Sequence, residues 1–366
     1  MSSERVAEVR AFLKGGPQGR GFVRLDPSTY AAVFAGRPGG TPTIEDEIAF
    51  HRAFPNDAMP ALLLDFEKLT PDLCWRRRLV RRDDDGRATW EETVTIPSGE
   101  KRRIVVDQPG TQPWLLEPAV KSESDFDIVE FYAEAIREHA SSIADALKQY
   151  PPLLESLGML PAAAIFSAFE AYWLINYPDM PLFYMDFPRR YLASIRKVHE
   201  ANLVLLEALA AVGFELFYAG SAGLELLSPR IFREAIVPFQ REFNDRARAL
   251  GVLTSYHVCG HSEGLIRQKI IDDIRPTIFE TCSTPPCGDN PSLGEAVRGI
   301  AEDIITKGNL PLELLRNGSP REIAAAVRDI ARVTGGRRHI IGQADATILT
   351  GTPYENIRAF LDAASP

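Results

Sequence analysis

From about residue 155 onward, short apolar runs rich in β-branched side chains alternate with longer stretches in which apolar residues recur every three or four positions. A short run that is apolar throughout suits a strand buried on both faces, whereas the longer period suits a helix with one apolar stripe. Their alternation predicts parallel β/α architecture. Strands are expected at residues 162–166, 215–219, 252–258, 277–281, 303–307 and 339–343. Earlier runs at 21–25 and 61–65 bring the count to eight, the number that closes a barrel.

The helices are marked by their starts. Ser228-Pro229, Ser319-Pro320 and Thr352-Pro353 each set a capping hydroxyl before a proline at the first helical position. Glu322 and Glu355 follow the last two caps at the spacing of a capping box. Residues 124–150 and 186–211 have the period of long amphipathic helices, and Pro238, inside the helix that opens at Ser228, predicts a kink or break. Residues 67–120 differ: alternating segments at 89–96 and 102–106 lie among charges and turn residues, the pattern of a β-hairpin insertion over the barrel mouth. No internal repeat is present, so residues 1–366 are expected to form one α/β domain, a (β/α)8 TIM barrel with that insertion as a cap.

Composition narrows the function classes. With 45% hydrophobic and 25% charged residues the chain is an ordinary globular one. A net charge of −9, spread with both signs mixed, offers no basic face for nucleic acid. Arg76, Arg77, Arg78, Arg81 and Arg82 are answered at once by Asp83, Asp84 and Asp85, which reads as a solvated turn. No apolar run approaches the ~18 residues a membrane span needs, and the first residues lack a signal peptide's apolar stretch, so no membrane contact and a cytoplasmic location are expected. Cys74, Cys259, Cys282 and Cys287 are the only cysteines; three of them crowd beside apolar strands, which in a reducing compartment suggests metal or thiol chemistry over disulfides. His51, His139 and His199 sit in mixed-polarity helical contexts and are expected at the surface.

The densest chemistry lies at Tyr256-His257-Val258-Cys259-Gly260-His261, where an apolar strand ends. Residues i and i+2 of a strand point the same way, so His257 and Cys259 can face one ion, and zinc takes imidazole and thiolate together. The C-terminal end of a barrel strand is where such folds hold their active sites. The next strand ends in Glu280 and Cys282 at the same spacing, and a glutamate in an apolar strand is costly to bury unless it binds something. Four donors, His257, Cys259, Glu280 and Cys282, would then converge on one mouth. A hydrogen-bonded core histidine beside a small buried cysteine is the alternative, and Cys287 reads as an incidental thiol. Tyr218, Ser221, Tyr256, Asn309 and Asp345 are candidate substrate contacts at the same rim; packing behind the strand for Tyr256 and turn roles for Ser221 and Asn309 stay open.

Gly220-Ser221-Ala222-Gly223 through Leu227-Ser228-Pro229, then Ile236-Val237-Pro238, His257-x-Cys259-Gly260, Gly308-Asn309-Leu310 and Gly351-Thr352-Pro353-Tyr354-Glu355-Asn356-Ile357 resemble, in order and spacing, the uroporphyrinogen decarboxylase superfamily. The resemblance covers residues 155–366. It implies one of two chemistries on a (β/α)8 fold: cofactor-free decarboxylation, or zinc-dependent methyl transfer involving corrinoid proteins, thiols or folates. The decarboxylases carry an arginine-rich segment for substrate carboxylates near their N-terminus, and none occurs before Asp65. The methyltransferases resemble this chain in His257 and Cys259, and some in Glu280; their last cysteine falls at Ala346, where Asp345 or Cys282 is the available substitute. The resemblance therefore implies a methyltransferase with catalytic His257, Cys259 and Glu280, zinc as cofactor, a small-molecule substrate, a corrinoid carried by a partner protein, and a homodimer. The alternatives are a metal-free decarboxylase-like carboxy-lyase and a non-catalytic corrinoid- or partner-binding subunit.

Overall fold

The computed structural model describes residues 3–16, 21–37, 42–111, 113–345 and 347–364. All eight expected staves form: β1 (Phe22–Val23), β2 (Ala61–Leu63), β7 (Ala162–Ala164), β8 (Leu216–Ala222), β9 (Leu253–Cys259), β10 (Ile278–Glu280), β11 (Ile305–Leu310) and β12 (His339–Gln343), with β3 to β6 in the insertion. They pair in parallel in the order β1-β12-β11-β10-β9-β8-β7-β2. Between β1 and β2 a carboxylate takes the place of a ladder. Val23 N donates to Asp57 Oδ2 at 2.8 Å, Asp57 N donates to Val23 O at 2.7 Å, and Arg5 Nη2 donates to the same Oδ2 at 2.7 Å.

The barrel interior is layered, because alternate residues of each stave point inward. At the bottom Leu216, Leu253, Ile278, Ile305 and Ile340 form an apolar layer, plugged from below by Val6, Val9, Phe12 and Leu13 of the helix Ser3–Leu13. Two residues further along each stave the layer turns polar and charged, with Tyr218, Ser255, Glu280 and Lys307. Lys307 is fully buried and its Nζ donates to Glu280 Oε2 at 2.6 Å and to Asp26. Ser255 Oγ donates to Glu280 Oε1 at 2.6 Å. Arg24 pairs with Asp26, approaches Glu280 at 3.8 Å and lies over the Tyr218 ring at 4.3 Å. Gly342 makes room for this cluster: a Cβ there would stand 3.0 Å from Lys307 Cε and 3.1 Å from the Arg24 carbonyl.

The helices largely follow their signals. Phe126–Leu147 and Pro188–Ala211 fall within the expected spans. Ser319 and Glu322 form the expected capping box, and Ser228 Oγ accepts from Ile231 N. At Thr352 the hydroxyl instead donates to Leu349 O, and the helix starts at Tyr354. The break expected near Pro238 takes the form of a π-turn, Phe232–Ile236, ahead of the helix Val237–Ala249, so the proline occupies a first-turn position where its missing N–H costs nothing.

The insertion is larger than a hairpin. β3 (Arg76–Arg82), β4 (Ala88–Ile96), β5 (Gly99–Asp107) and β6 (Trp114–Glu117) form a four-stranded antiparallel sheet. The arginine run expected as a turn is the edge strand β3. Its guanidinium groups reach acids on the neighbouring strands, Arg78 to Glu91 at 2.7 Å and Arg77 to Glu92 and Asp107, each at 2.8 Å. Cross-strand ion pairs, invisible to a local reading, make an arginine-rich segment extend. The turn lies just beyond, at Asp83–Gly86, and the tip between β5 and β6 meets the rim, where Thr350 Oγ1 donates to Gly110 O at 2.8 Å.

Lys307→Met would leave buried Glu280, and half-buried Asp26 beside it, without their ammonium partner. Urea unfolding should show a loss of about 3–5 kcal/mol, whereas Arg78→Ala on exposed β3 should cost under about 1 kcal/mol.

Candidate active site at the barrel mouth

One layer above the charged cluster, β9 presents His257 and then Cys259 inward. His257 Nε2 lies 2.9 Å from Cys259 Sγ and 3.8 Å from Asp345 Oδ1. One ligand atom from each of the three falls within 4.8 Å of the others. The seating is tight: a Cβ at Gly220 on β8 would come within 2.9 Å of the His257 carbonyl oxygen. Gly260, at φ 83°, turns the chain away immediately after Cys259, and Glu225 Oε2 accepts from His261 N at 2.9 Å to hold that turn.

Burial disfavours a charged His257, but the Cys259 sulfur, Glu280 and Asp345 outweigh it and push the imidazole up to about 9. His257 Nδ1 is buried with no hydrogen-bond partner among the described residues. An imidazole, a thiol and a carboxylate gathered this closely suit a zinc ion, which binds N, S and O donors tetrahedrally. The side chain of Asp345 is 42% exposed, so the group opens toward solvent on that side.

The other expected donors lie elsewhere. Both carboxylate oxygens of Glu280 are engaged below the site, by Lys307 and Ser255, and Glu280 lies outside the three-donor group. Burial opposes its ionisation, but Lys307 and Arg24 prevail and hold it well below the usual carboxylate range. Cys282 is fully buried and also outside the group; burial pushes its thiol up to about 12. Both residues were expected to point into the mouth, yet only three residues of β10 hold strand geometry, and Cys282 already sits at φ 57°. Ala346 lies outside the described residues.

Among the expected substrate contacts, Asp345 stands at the opening. Tyr256 is buried and its hydroxyl donates to Ser221 Oγ at 2.8 Å, which uses each on the other. Asn309 Nδ2 donates to the Cys282 carbonyl at 2.9 Å, bracing a loop. Tyr218 belongs to the charged layer below, under Arg24. The histidines expected at the surface divide: His139 pairs with Asp72, whereas His51 and His199 are buried, the first against Asn56 and the second against Glu242.

Sequence reading missed Glu170 and Tyr177, which follow β7 at the same rim. Glu170 is 5% exposed and hydrogen-bonded to Tyr177. Burial pushes its carboxyl up to about 8, with Tyr177 and His257 pulling the other way. Burial, Glu170 and Cys259 together raise the Tyr177 phenol. The signal was present: an acid inside the apolar, aromatic run Ala168-Phe169-Glu170-Ala171.

A family model described as uroporphyrinogen decarboxylase (URO-D) matches residues 170–365. Among solved structures, a methyltransferase from Methanosarcina mazei superposes with a TM-score of 0.65 at 13% identity, over 98% of this chain and 98% of that one. A B12-independent methionine synthase from Shewanella sp. W3-18-1 covers 88% of this chain and 86% of its own, with a TM-score of 0.43 and 12% identity. No curated protein matches. The first likeness shows the α/β barrel fold over almost the whole chain.

Glu170 yields a test through stability. Its folded value of about 8 exceeds the ordinary 4.5, so between those values the unfolded chain is ionised while the folded one must stay protonated. Wild-type stability should therefore fall as pH rises through that window. Glu170→Gln lacks this loss, and its advantage in urea midpoint should grow from about pH 5 and level off above about pH 8. A constant difference between the two proteins across that range would sink this assignment.

Proposed function

The chain belongs to the uroporphyrinogen decarboxylase family, and on that premise we propose that it transfers a methyl group between a small methylated donor or corrinoid protein and a thiol, folate or corrinoid acceptor, with zinc held by His257, Cys259 and Asp345. The observation that carries this reading is the gathering of three chemically different donor atoms within 4.8 Å at the C-terminal rim of the barrel. The description of the Methanosarcina mazei neighbour as a methyltransferase agrees with it. Zinc bound there would hold an acceptor thiol as its thiolate, the nucleophile that methyl transfer needs.

The protein's own groups prepare that chemistry. Asp345, partly exposed, leaves the rim side of the group open for an acceptor to enter. Beneath it, Lys307 and Arg24 neutralise Glu280 and Asp26, so the floor of the site is charge-balanced and does not compete for a cation. With a single sulfur among its three donors, a zinc ion held there would be more Lewis-acidic than one held by two thiolates, which would also suit polarising a donor ether or amine. Decarboxylation of uroporphyrinogen is disfavoured on the same floor. Arg24, the arginine that β1 brings into the barrel, is buried and committed to Asp26, and so is not free to receive substrate carboxylates.

Mass-spectrometric metal analysis tests the proposal directly. Wild-type protein should carry about one zinc per chain. His257→Ala and Cys259→Ser should lose it while remaining folded, Asp345→Asn should bind it about 10- to 100-fold more weakly, and Cys282→Ser should retain it. Methyl transfer from methylcobalamin to 2-mercaptoethanol, followed by loss of the cobalt–carbon absorbance, should track zinc content. If wild-type protein takes up no zinc supplied in excess, or produces coproporphyrinogen from uroporphyrinogen, the metal-free carboxy-lyase becomes the better reading; stoichiometric zinc with no turnover would favour the corrinoid-binding subunit.

A further inference from the structure

Glu170 and Tyr177 are not among the three donors, yet they are built into the same rim with some care. Glu170 is buried, and the charge that bears on it is that of His257, beyond ion-pair distance. Burying a carboxyl without a cation is unfavourable, and a glutamine would fill the space without that cost. The backbone around it is also strained. Ala171 (φ 46°) and Trp173 (φ 62°) both occupy the left-handed region, which non-glycine residues avoid. Such strain persists where surrounding packing imposes it, and it concentrates at functional sites. Here the packing is aromatic: the Trp173 ring meets Phe166 at 6.1 Å and Tyr177 edge-on at 5.8 Å. The strained turn Ala168–Trp173 thus carries Glu170 inward, while the tryptophan fixes Tyr177 against it. Tyr177 in turn is hydrogen-bonded to Glu170 and feels the charge of Cys259, so the pair lies within electrostatic reach of the three-donor group.

We propose that Tyr177 gives a proton to the group that leaves when a methylated amine or ether is demethylated in this site, and that Glu170 is the positioning residue that holds and resupplies that proton. The inference rests on the methyl-transfer reading above and narrows its donor class. In the step, the acceptor's lone pair bonds to the methyl carbon as the bond from carbon to nitrogen or oxygen breaks, and the breaking pair stays on the heteroatom. That atom takes the Tyr177 proton, and Tyr177 takes the carboxyl proton of Glu170. The negative charge that began on the acceptor thiolate ends on Glu170, so no charge is created inside the buried site. A proton from solvent restores the acid when product departs. A neutral carboxylic acid suits this role, since burial pushes Glu170 up to about 8 and keeps it protonated at neutral pH. A methylcorrinoid donor needs no such proton, because the cobalt it leaves behind keeps the electron pair unprotonated.

The experiment compares two donors, methoxyphenol and methylcobalamin, with 2-mercaptoethanol as acceptor, on zinc-loaded wild-type protein, Glu170→Gln, Glu170→Asp and Tyr177→Phe. Glu170→Gln and Tyr177→Phe should lower kcat for methoxyphenol about 100-fold, at least about tenfold more than for methylcobalamin. Glu170→Asp should restore part of the loss, and the alkaline limb of the methoxyphenol pH profile should vanish in Glu170→Gln. Equal losses with both donors, or an unchanged alkaline limb, would mean a structural role and overturn the proposal. Infrared titration of the same proteins is independent of turnover. A protonated-carboxyl band at neutral pH, absent in Glu170→Gln and shifted in Tyr177→Phe, supports the pair; its absence from wild-type protein overturns it. Should wild-type protein demethylate neither donor, the methyl-transfer reading falls, and the infrared result still decides whether Glu170 and Tyr177 share a stored proton.

Discussion

Everything at the mouth of this barrel depends on an ammonium group with no access to water. Lys307 projects from β11 into the middle of the barrel, where Glu280 and Asp26 meet it from either side and Arg24 closes the set. Removing four charges from water is costly, and their mutual attraction offsets that cost only while every partner is in place. The cluster therefore ties β1, β10 and β11 together at one height. It also gives the layer above it a fixed floor, on which His257 and Cys259 stand.

This floor changes the chemistry available. A glutamate at the position of Glu280 is a natural oxygen donor for a cation held by His257 and Cys259, and the parallel register sets its Cα beside that of His257. Once Lys307 and Ser255 occupy both of its oxygens, however, it has nothing left to offer. The oxygen donor beside His257 and Cys259 is Asp345, from the loop after β12, on the opposite side of the group from the floor. A donor from a rim loop is more exposed and less constrained than one from a stave. The group exchanges rigidity for openness on its rim side.

Much of the fold was legible because short runs rich in apolar residues alternate with helical stretches, a pattern that persists even where a stave such as Ile305–Leu310 carries Thr306, Lys307 and Asn309. The pairing of His257 with Cys259 was legible for a similar reason: a period of two is enforced by strand geometry alone. What was not legible depended on partners remote in sequence. Glu280 was correctly recognised as a carboxylate that had to bind something, but Lys307 stands 27 positions away on another stave, and no local pattern distinguishes an ammonium partner from a metal. Similarly, the arginines of β3 look like solvated turn residues until Glu91, Glu92 and Asp107 are set beside them by the antiparallel sheet. Glu170 escaped notice because its neighbours suggested an ordinary apolar turn, and the left-handed conformations at Ala171 and Trp173 that aim it inward leave no mark in residue type.

The two buried carboxyls that bear on His257 show how position sets role. Glu280 and Glu170 are the same residue type, both almost inaccessible to water. Glu280 has an ammonium in contact and is held ionised; Glu170 has a phenol in contact and is held neutral. A carboxylate locked to an ammonium cannot exchange protons near neutral pH, whereas a neutral acid can give one up. The imidazole of His257 feels both, together with Cys259 and Asp345 at the rim. Two glutamates that bear on one imidazole are thus held in opposite protonation states, and the difference is made by which partner each glutamate meets.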